Sequence, residues 1–493
     1  MARLHEYQGK QLLAASGVAI PRGVVARTPD EAMSAAQEIG GSVVIKVQAW
    51  VTGRKALGGV VFVDSPEEAR SEAETMLQMK FGNFPVEELL IEEQLDISEE
   101  YFVSLTIDDA SKSPILLLDC QGGSGIEDRA DSVSRIPVSA GGEIDRDAVL
   151  SVAEYEPLVD AIELIVRAAR QHEARSLEVN PLVRLVDGSI VAADCRATID
   201  DYAVFRHEDL GIDIARELDH PPTHLERLAY EIEQEDHRGT FYFAKLPIEG
   251  HEDSEGLIAF HGAGGGGSMM SMDAVSNKGF TLANYTDTSG NPSASKVYKA
   301  ARIMLAQPQL RGYFGSGSGV ASQEQYHSAY GLAKAFIEMK MAIPAVIRLG
   351  GNSEDRAVEI LEDACKELPA TIEGYKKDDT PASCADRFAI LVDENKGGTN
   401  DQMTRSVPPF VGLKTTAKFP MKHGTLWIDR MSKVAAEIAI EHSAGLLELD
   451  DSGSIVPVDD IADKDSELIA CEIECHRAGV PAVFVDIPVK GID

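Results

Sequence analysis

The hydrophobic pattern changes regime near residue 230. Before it, apolar runs of strand length recur with polar interruptions: "SVVIKVQ" (42–48), "GGVVFVD" (58–64), "ELLIEEQ" (88–94), "YFVSLTIDD" (101–109) and "PILLLDC" (114–120). Two helices with one start design sit among them, at "TPDEAMSAAQEIGG" and "SPEEARSEAETMLQ". Thr28 and Ser65 cap, Pro29 and Pro66 take the first turn, and Glu31 and Glu68 close capping boxes. One long amphipathic helix is expected over about 150–172. It leads into "SLEVNPLV" (176–183), where a period of two sends Leu177, Val179, Pro181 and Val183 to one face and Glu178 and Asn180 to the other. The next run, "RLVDGSIVAADCR", returns through a three-residue loop, Val186-Asp187-Gly188, with Gly in the left-handed position. In that register Asn180 lies opposite Asp194 and Glu178 opposite Arg196. An amide oxygen and a carboxylate side by side suit a hard cation, although a solvated hairpin face has the same pattern.

A polar linker with a short strand is expected over about 230–255. Beyond it, strands and helices alternate through "GLIAFHGAGGGGSMMSMD", "FTLANYTD", "KVYKAARIMLAQ", "LRGYFGSGSGVAS", "HSAYGLAKAFIEM", "IPAVIRLGGN" and "DRAVEILEDACKEL". That alternation predicts a doubly wound parallel sheet with ligands at the carboxyl ends of its strands. From about 396, "TLWID", "KVAAEIAIEH", "AGLLELDDSGSIVPVDD", "DSELIACEIECHRAG" and "PAVFVDI" read as a small α/β segment. The expected division is 1–235, 236–395 and 396–493.

Composition narrows the function classes. The 493 residues carry 46 Lys and Arg against 81 Asp and Glu, a formal charge of −35, which argues against a nucleic-acid partner. No run reaches the roughly 18–20 apolar residues of a membrane span. The start, "MARLHEYQGKQLLAASGVAIP", is a polar helix without a secretory pattern, and the six cysteines make no disulfide framework, so the cytoplasm is the expected compartment. Cys471 and Cys475 fall at i,i+4 and read as helix-face residues rather than metal ligands.

Several stretches invite chemistry. Lys46 sits among aliphatics, where an ammonium needs an anion or water. "TGRKALGG" follows with glycines and two cations, which suits a phosphate and equally a basic edge hairpin. The acidic "LLIEEQLDISEE" could hold ribose hydroxyls or simply be solvated. "HGAGGGGSMMSMD" is a strand, a Gly turn and a helix start, ready for an anion. Its G-x-G spacing (Gly262, Gly264) is a weak dinucleotide sign. The following strand is not expected to close with the usual acidic residue, so a small anion is preferred. "YFGSGSGVASQEQ" and "RLGGNSE" are two further turns of that kind.

The order of these motifs resembles the β subunit of succinyl-CoA synthetase. "LHEYQGKQLL", "VVIKVQ" with "GR…GG", "EVNPLV" with its Asp hairpin, "FRHEDL", "HGAGGGGSMMSMD" and "IPAVIRLGGN" carry the likeness over about residues 1–395. It implies an ATP-grasp domain followed by a flavodoxin-like domain. It also implies a ligase that joins a small carboxylic acid to coenzyme A while ATP or GTP becomes diphosphate and phosphate. By position, Lys46, Gly53, Arg54, Glu92, Leu95 and Glu100 would bind the nucleotide, and Asn180 and Asp194 would bind Mg²⁺. Glu178 would face a phosphohistidine carried by an α subunit, which also supplies the coenzyme A fold. The acid would lie against His261, Gly262 and Gly264 and against Gly315, Ser316, Gly317 and Ser318.

The chain departs from the family where "TGRKALGG" replaces "GGRGKAGG", where His261 replaces an Asn, and where Ser316 and Ser318 add hydroxyls. The acid is therefore expected to be succinate-like but bulkier or more polar than succinate, with hydroxylated or sulfonated small acids fitting as well as any. Two rival readings are a catalytically altered nucleotide-binding scaffold subunit and an ATP-grasp carboxylate–amine ligase.

Overall fold

The computed structural model describes residues 2–492 apart from 52, 124–131, 217, 219, 237, 239, 249–255, 318, 320, 415, 421–423, 430–436, 438, 442–446, 453, 454, 459–464 and 487–491. The chain forms two compact units, Met1–Pro222 and Thr223–Asp493.

The first unit holds two large sheets whose strand pairs are all antiparallel. One runs Gly23–Ala26, Leu89–Glu93, Val43–Val47, Val60–Val63; the other runs Ala2–Arg3, Arg196–Ile199, Ala174–Leu185, Ile97–Asp108, Ser113–Asp119, Ser134–Pro137, with Ile190–Ala192 also on Ala174–Leu185. Thr28 and Ser65 cap their helices by accepting from the Glu31 and Glu68 amides. The capping boxes differ from expectation. Each Glu carboxylate accepts from the residue before the cap, Arg27 or Asp64, so the loop entering the helix is tied down instead of the cap itself.

The single helix expected over 150–172 is two, Arg146–Ala153 and Glu156–Gln171, because Glu154 turns left-handed at φ 53° and Pro157 opens the second. The second helix buries Leu158, Ile162, Ile165, Val166 and Ala169 on one stripe, at roughly 1.5–3 kcal/mol per large aliphatic side chain. In the hairpin, Glu178 lies opposite Arg196 and the loop closes from Leu185 N–H to Ser189 O with Gly188 at φ 91°. The expected alternation breaks at Asn180–Pro181, where the pairing with Ile97–Asp108 shifts register. Leu182 and Val183 are both buried as a result, and Pro181 is only partly so.

In the second unit, the stretch expected as a polar linker begins with a helix, His224–Glu235, fixed by a true Thr223–Glu226 capping box. The central sheet runs Tyr242–Lys245, Asn284–Asp287, Leu257–Ala263, Leu310–Gly317, Ala345–Arg348, Ile372–Tyr375 and is parallel except at its first pair. Residues after 396 add an antiparallel sheet (Thr416–Pro420, Gly424–Asp429, Ala482–Asp486), a hairpin (Leu447–Leu449, Ile455–Pro457) and the helix Asp465–Arg477. The helix expected at 433–442 lies mostly outside the described residues. Leu426, Ile428, Leu468, Ile473 and Phe484 share one apolar core with Val297, Phe336 and Ile360. Cys471 and Cys475 are buried.

Inside that core Lys334 is fully buried, with Nζ donating to Glu338 (2.7 Å), Glu472 (2.8 Å) and the Phe484 carbonyl (2.6 Å). Burial raises the Glu472 carboxyl to about 7 despite the Lys334 ammonium, with Glu338 adding to the rise.

Candidate active site

The first unit encloses a cavity of about 650 Å³ bounded by both of its sheets. Lys46, Gly53, Arg54, Glu92, Leu95, Glu100, Glu178, Asn180 and Asp194 all line it, drawn from positions 46 to 194 of the sequence.

The helix Glu6–Ala15 positions the charged floor. It packs so closely that a Cβ on Gly9 would stand 2.7 Å from Cys195 Sγ, which is why a glycine sits mid-helix. On the same helix, Glu6 and Lys10, one turn apart, are buried and face each other at 2.8 Å. Glu6 also meets Lys46 and Arg54, each at 2.8 Å, and Lys10 and Lys46 share Glu92 at 2.6 and 2.8 Å. Lys46 Nζ donates a further bond to the Ala193 carbonyl at 2.6 Å. Arg54 reaches back from its loop to the Val47 carbonyl (2.9 Å) and grips the Asp194 carboxylate at 2.9 and 3.1 Å. Gly53, at φ 68°, takes the left-handed conformation that starts this loop.

Burial pushes the Glu6 carboxyl up, but Lys46, Lys10 and Arg54 outweigh it and hold it well below the usual carboxylate range. Burial disfavours the charges of Lys46 and Arg54, yet their carboxylate neighbours carry both above their ordinary values. Burial and then the Glu6 charge raise Asp194, with Arg54 and Lys46 pulling the other way. Asn180 Oδ1 accepts from the Gly123 amide at 2.7 Å. Glu100 is exposed at the rim.

Sequence reasoning missed Glu6, Lys10 and Trp50. A Glu–Lys pair at i,i+4 reads as an ordinary surface pair; only Gly9 between them signals a face pressed against something. Trp50 lines the cavity with its indole stacked on His5 at 5.2 Å and its Nε1 buried without a hydrogen-bond partner among the described residues.

In the second unit, His261, Gly262, Gly264, Gly315, Ser316 and Gly317 lie at the carboxyl ends of two paired strands, with Gly262 beside Ser316. Ser318 lies outside the described residues. Gly315–Gly317 continue a strand rather than forming the expected turn. His261 is 6 % exposed, with Nδ1 2.6 Å from the Tyr313 hydroxyl and Nε2 2.9 Å from Thr288 Oγ1. Burial lowers it to about 4, so the ring is neutral. Ser316 Oγ pairs with Ser271 Oγ at 2.7 Å.

The Gly turn differs from expectation in one respect. The following strand does end in an acidic residue, and that Asp287 carboxylate accepts from the Gly264 and Gly265 amides at 2.9 and 3.0 Å. The first anion position of the helix Gly265–Ser276 is thus filled from within.

An ATP-grasp domain model matches residues 3–184. The chain is 34% identical over 388 residues to the succinate–CoA ligase [GDP-forming] β subunit of Thermus thermophilus, covering 76% of this chain and 97% of that one. The chain belongs to the succinate–CoA ligase β-subunit family. An ADP-forming member, β subunit 2 of Archaeoglobus fulgidus, is 31% identical over 381 residues, with 74% of this chain and 94% of that one covered. About a quarter of this family member therefore has no counterpart in those relatives.

The region holding His261 also matches a model described as ATP citrate lyase citrate-binding, over residues 250–385. The solved ATP citrate lyase from Methanothrix soehngenii, in complex with citrate and coenzyme A, shares the fold. Its TM-score is 0.63 at 19% identity, over 80% of this chain and 99% of that one. Among the described residues no helix is long and apolar enough to cross a membrane.

Proposed function

We propose that this ligase subunit binds ATP or GTP in the cavity of its first unit and phosphorylates a histidine on an α subunit. The phosphohistidine passes its phosphoryl group to the carboxylate of the acid, and the thiol of coenzyme A attacks the resulting acyl phosphate, forming the thioester and releasing phosphate. The observation that carries the reading is one cavity in an ATP-grasp domain lined by Lys46 and Arg54, each paired with carboxylates, and by the side-chain oxygens of Asn180 and Asp194. Phosphoryl transfer asks little covalent chemistry of the protein, only positioning and charge. Lys46 and Arg54 would hold phosphate oxygens, and Glu178 would orient the partner's histidine.

Asn180 Oδ1 and the Asp194 carboxylate fit Mg²⁺ by donor chemistry. Both are hard oxygens, and each keeps lone-pair capacity beyond its present Gly123, Cys195 and Arg54 bonds. Bound there, Mg²⁺ would neutralise phosphate charge.

The acid would sit at the strand ends around Gly262 and Ser316. With the His261 ring buried and both its nitrogens bonded, its influence on the acid would run through Thr288. The citrate-binding match favours a hydroxylated acid with more than one carboxylate over succinate. The test is ADP release by the purified two-subunit enzyme against a panel of acids. Release that needs both coenzyme A and one acid supports the proposal. Release without coenzyme A would favour an amine ligase, and nucleotide binding without release would favour a scaffold subunit.

A further inference from the structure

We propose that the Arg54–Asp194 ion pair is an exchange latch, making capture of nucleotide phosphate and capture of a divalent cation depend on each other. It rests on the nucleotide reading above and deepens it.

Three cations and three carboxylates form one ionic cluster that reaches the cavity: Lys10, Lys46 and Arg54 against Glu6, Glu92 and Asp194. They are not evenly paired. Glu6 contacts all three cations and Glu92 contacts both lysines. Asp194 has one cation within ion-pair distance among the described residues, and it is Arg54. Arg54 bridges two elements, with Glu6 on the first helix and Asp194 at the hairpin.

The two ends of this bridge respond unequally to loss. If the Arg54 guanidinium turns to a phosphate, Glu6 keeps two ammonium groups. Asp194 keeps none within ion-pair distance, and a partly buried carboxylate stripped of its paired cation is costly. A divalent cation arriving at Asp194 removes that cost. In the other direction, a cation arriving alone must displace Arg54 from Asp194, leaving the guanidinium with Glu6 and a backbone carbonyl. A phosphate arriving together with the cation gives Arg54 its new anion. Each ligand alone therefore works against the pair, and both together exchange it for two new pairs. Coupling of this kind is reciprocal and typically amounts to about 5–150-fold in affinity. A salt bridge that merely braces the fold would leave only the coupling that direct cation–phosphate contact supplies, and removing Arg54 would not change it.

The test uses the full-length chain, with its partner subunit where the two co-purify, and involves no turnover. Mn²⁺ binding is followed by electron paramagnetic resonance with and without a non-hydrolysable ATP analogue. Binding of a fluorescent ATP analogue is followed with Mn²⁺ and with EDTA. In the wild type each ligand tightens the other by the same factor, roughly ten-fold or more. Arg54→Met frees Asp194, so Mn²⁺ binds the nucleotide-free protein about five-fold or more tighter and the coupling falls to the part that direct cation–phosphate contact supplies. Asp194→Asn frees Arg54, so the analogue binds in EDTA several-fold tighter than to the wild type.

Unchanged Mn²⁺ affinity in nucleotide-free Arg54→Met overturns the latch, as does unchanged or weaker analogue binding by Asp194→Asn in EDTA. If Arg54→Met does not fold, the Asp194→Asn result decides alone. A wild-type chain that binds no nucleotide under any condition overturns the nucleotide reading as well. Normal binding with unaltered variants overturns the latch only.

Discussion

Replacing Glu6 with Gln should move stability and nucleotide affinity in opposite directions. The substitution keeps the side chain's shape and removes the carboxylate that touches Lys10, Lys46 and Arg54 at 2.8 Å each. The balance of three cations and three carboxylates becomes three and two in a buried site. Glu92 still serves both lysines and Asp194 still serves Arg54, but the cluster carries one unmatched positive charge. Removing one member of a buried ionic group costs roughly 3–5 kcal/mol. For a unit the size of Met1–Pro222 that is a fall of about 6–20 °C in its melting temperature. A polyphosphate meets the reverse situation, because a carboxylate that competed for Lys46 and Arg54 is gone. Calorimetric melting and titration of a fluorescent ATP analogue should therefore give a less stable unit that binds the analogue at least as tightly as wild type. A variant that melts within about 1 °C of wild type would refute the ionic account of the cavity. So would an analogue affinity that falls in step with stability.

The second unit offers three further outcomes. Lys334→Met strands Glu472 and loosens the segment after residue 396, costing roughly 3–5 kcal/mol by urea unfolding, and Glu472→Gln in the same chain should recover part of that loss. The Glu472 carboxyl stands at about 7 in the folded chain against an ordinary 4.5, so its neutral form favours folding. That contribution, on the order of 3 kcal/mol, is complete below pH 4.5 and lost as pH rises through 7. Melting of the second unit should show that fall, and Glu472→Gln should flatten it. His261→Phe removes the partner of the Tyr313 and Thr288 hydroxyls and should raise KM for the acid several-fold, while ATP-analogue affinity stays at the wild-type value.

Much of this architecture is legible in local signals. The Thr28-Pro29 and Ser65-Pro66 helix starts and the Asp187-Gly188 loop follow from backbone chemistry within a few residues, and the structure contains them. What escapes local reading depends on partners far away in sequence. Glu6 and Lys10 become a buried cluster only because Lys46, Arg54 and Glu92 arrive from other elements. The Gly264 turn reads as an open anion site because Asp287, more than twenty positions later, is what fills it. The break at Glu154 has no sequence signal stronger than Pro157, which is equally at home in the first turn of a helix.

The central claim is that the first unit's cavity passes the terminal phosphoryl group of ATP to the partner subunit through the site of Asn180 and Asp194. Incubating the two-subunit enzyme with ATP labelled in the terminal phosphate and quenching within one turnover measures that transfer directly. Wild type should label the partner in an acid-labile, base-stable form, and Asn180→Ala and Asp194→Ala should leave it unlabelled while the chain remains folded. Labelling of the partner by either variant at the wild-type rate would contradict the account.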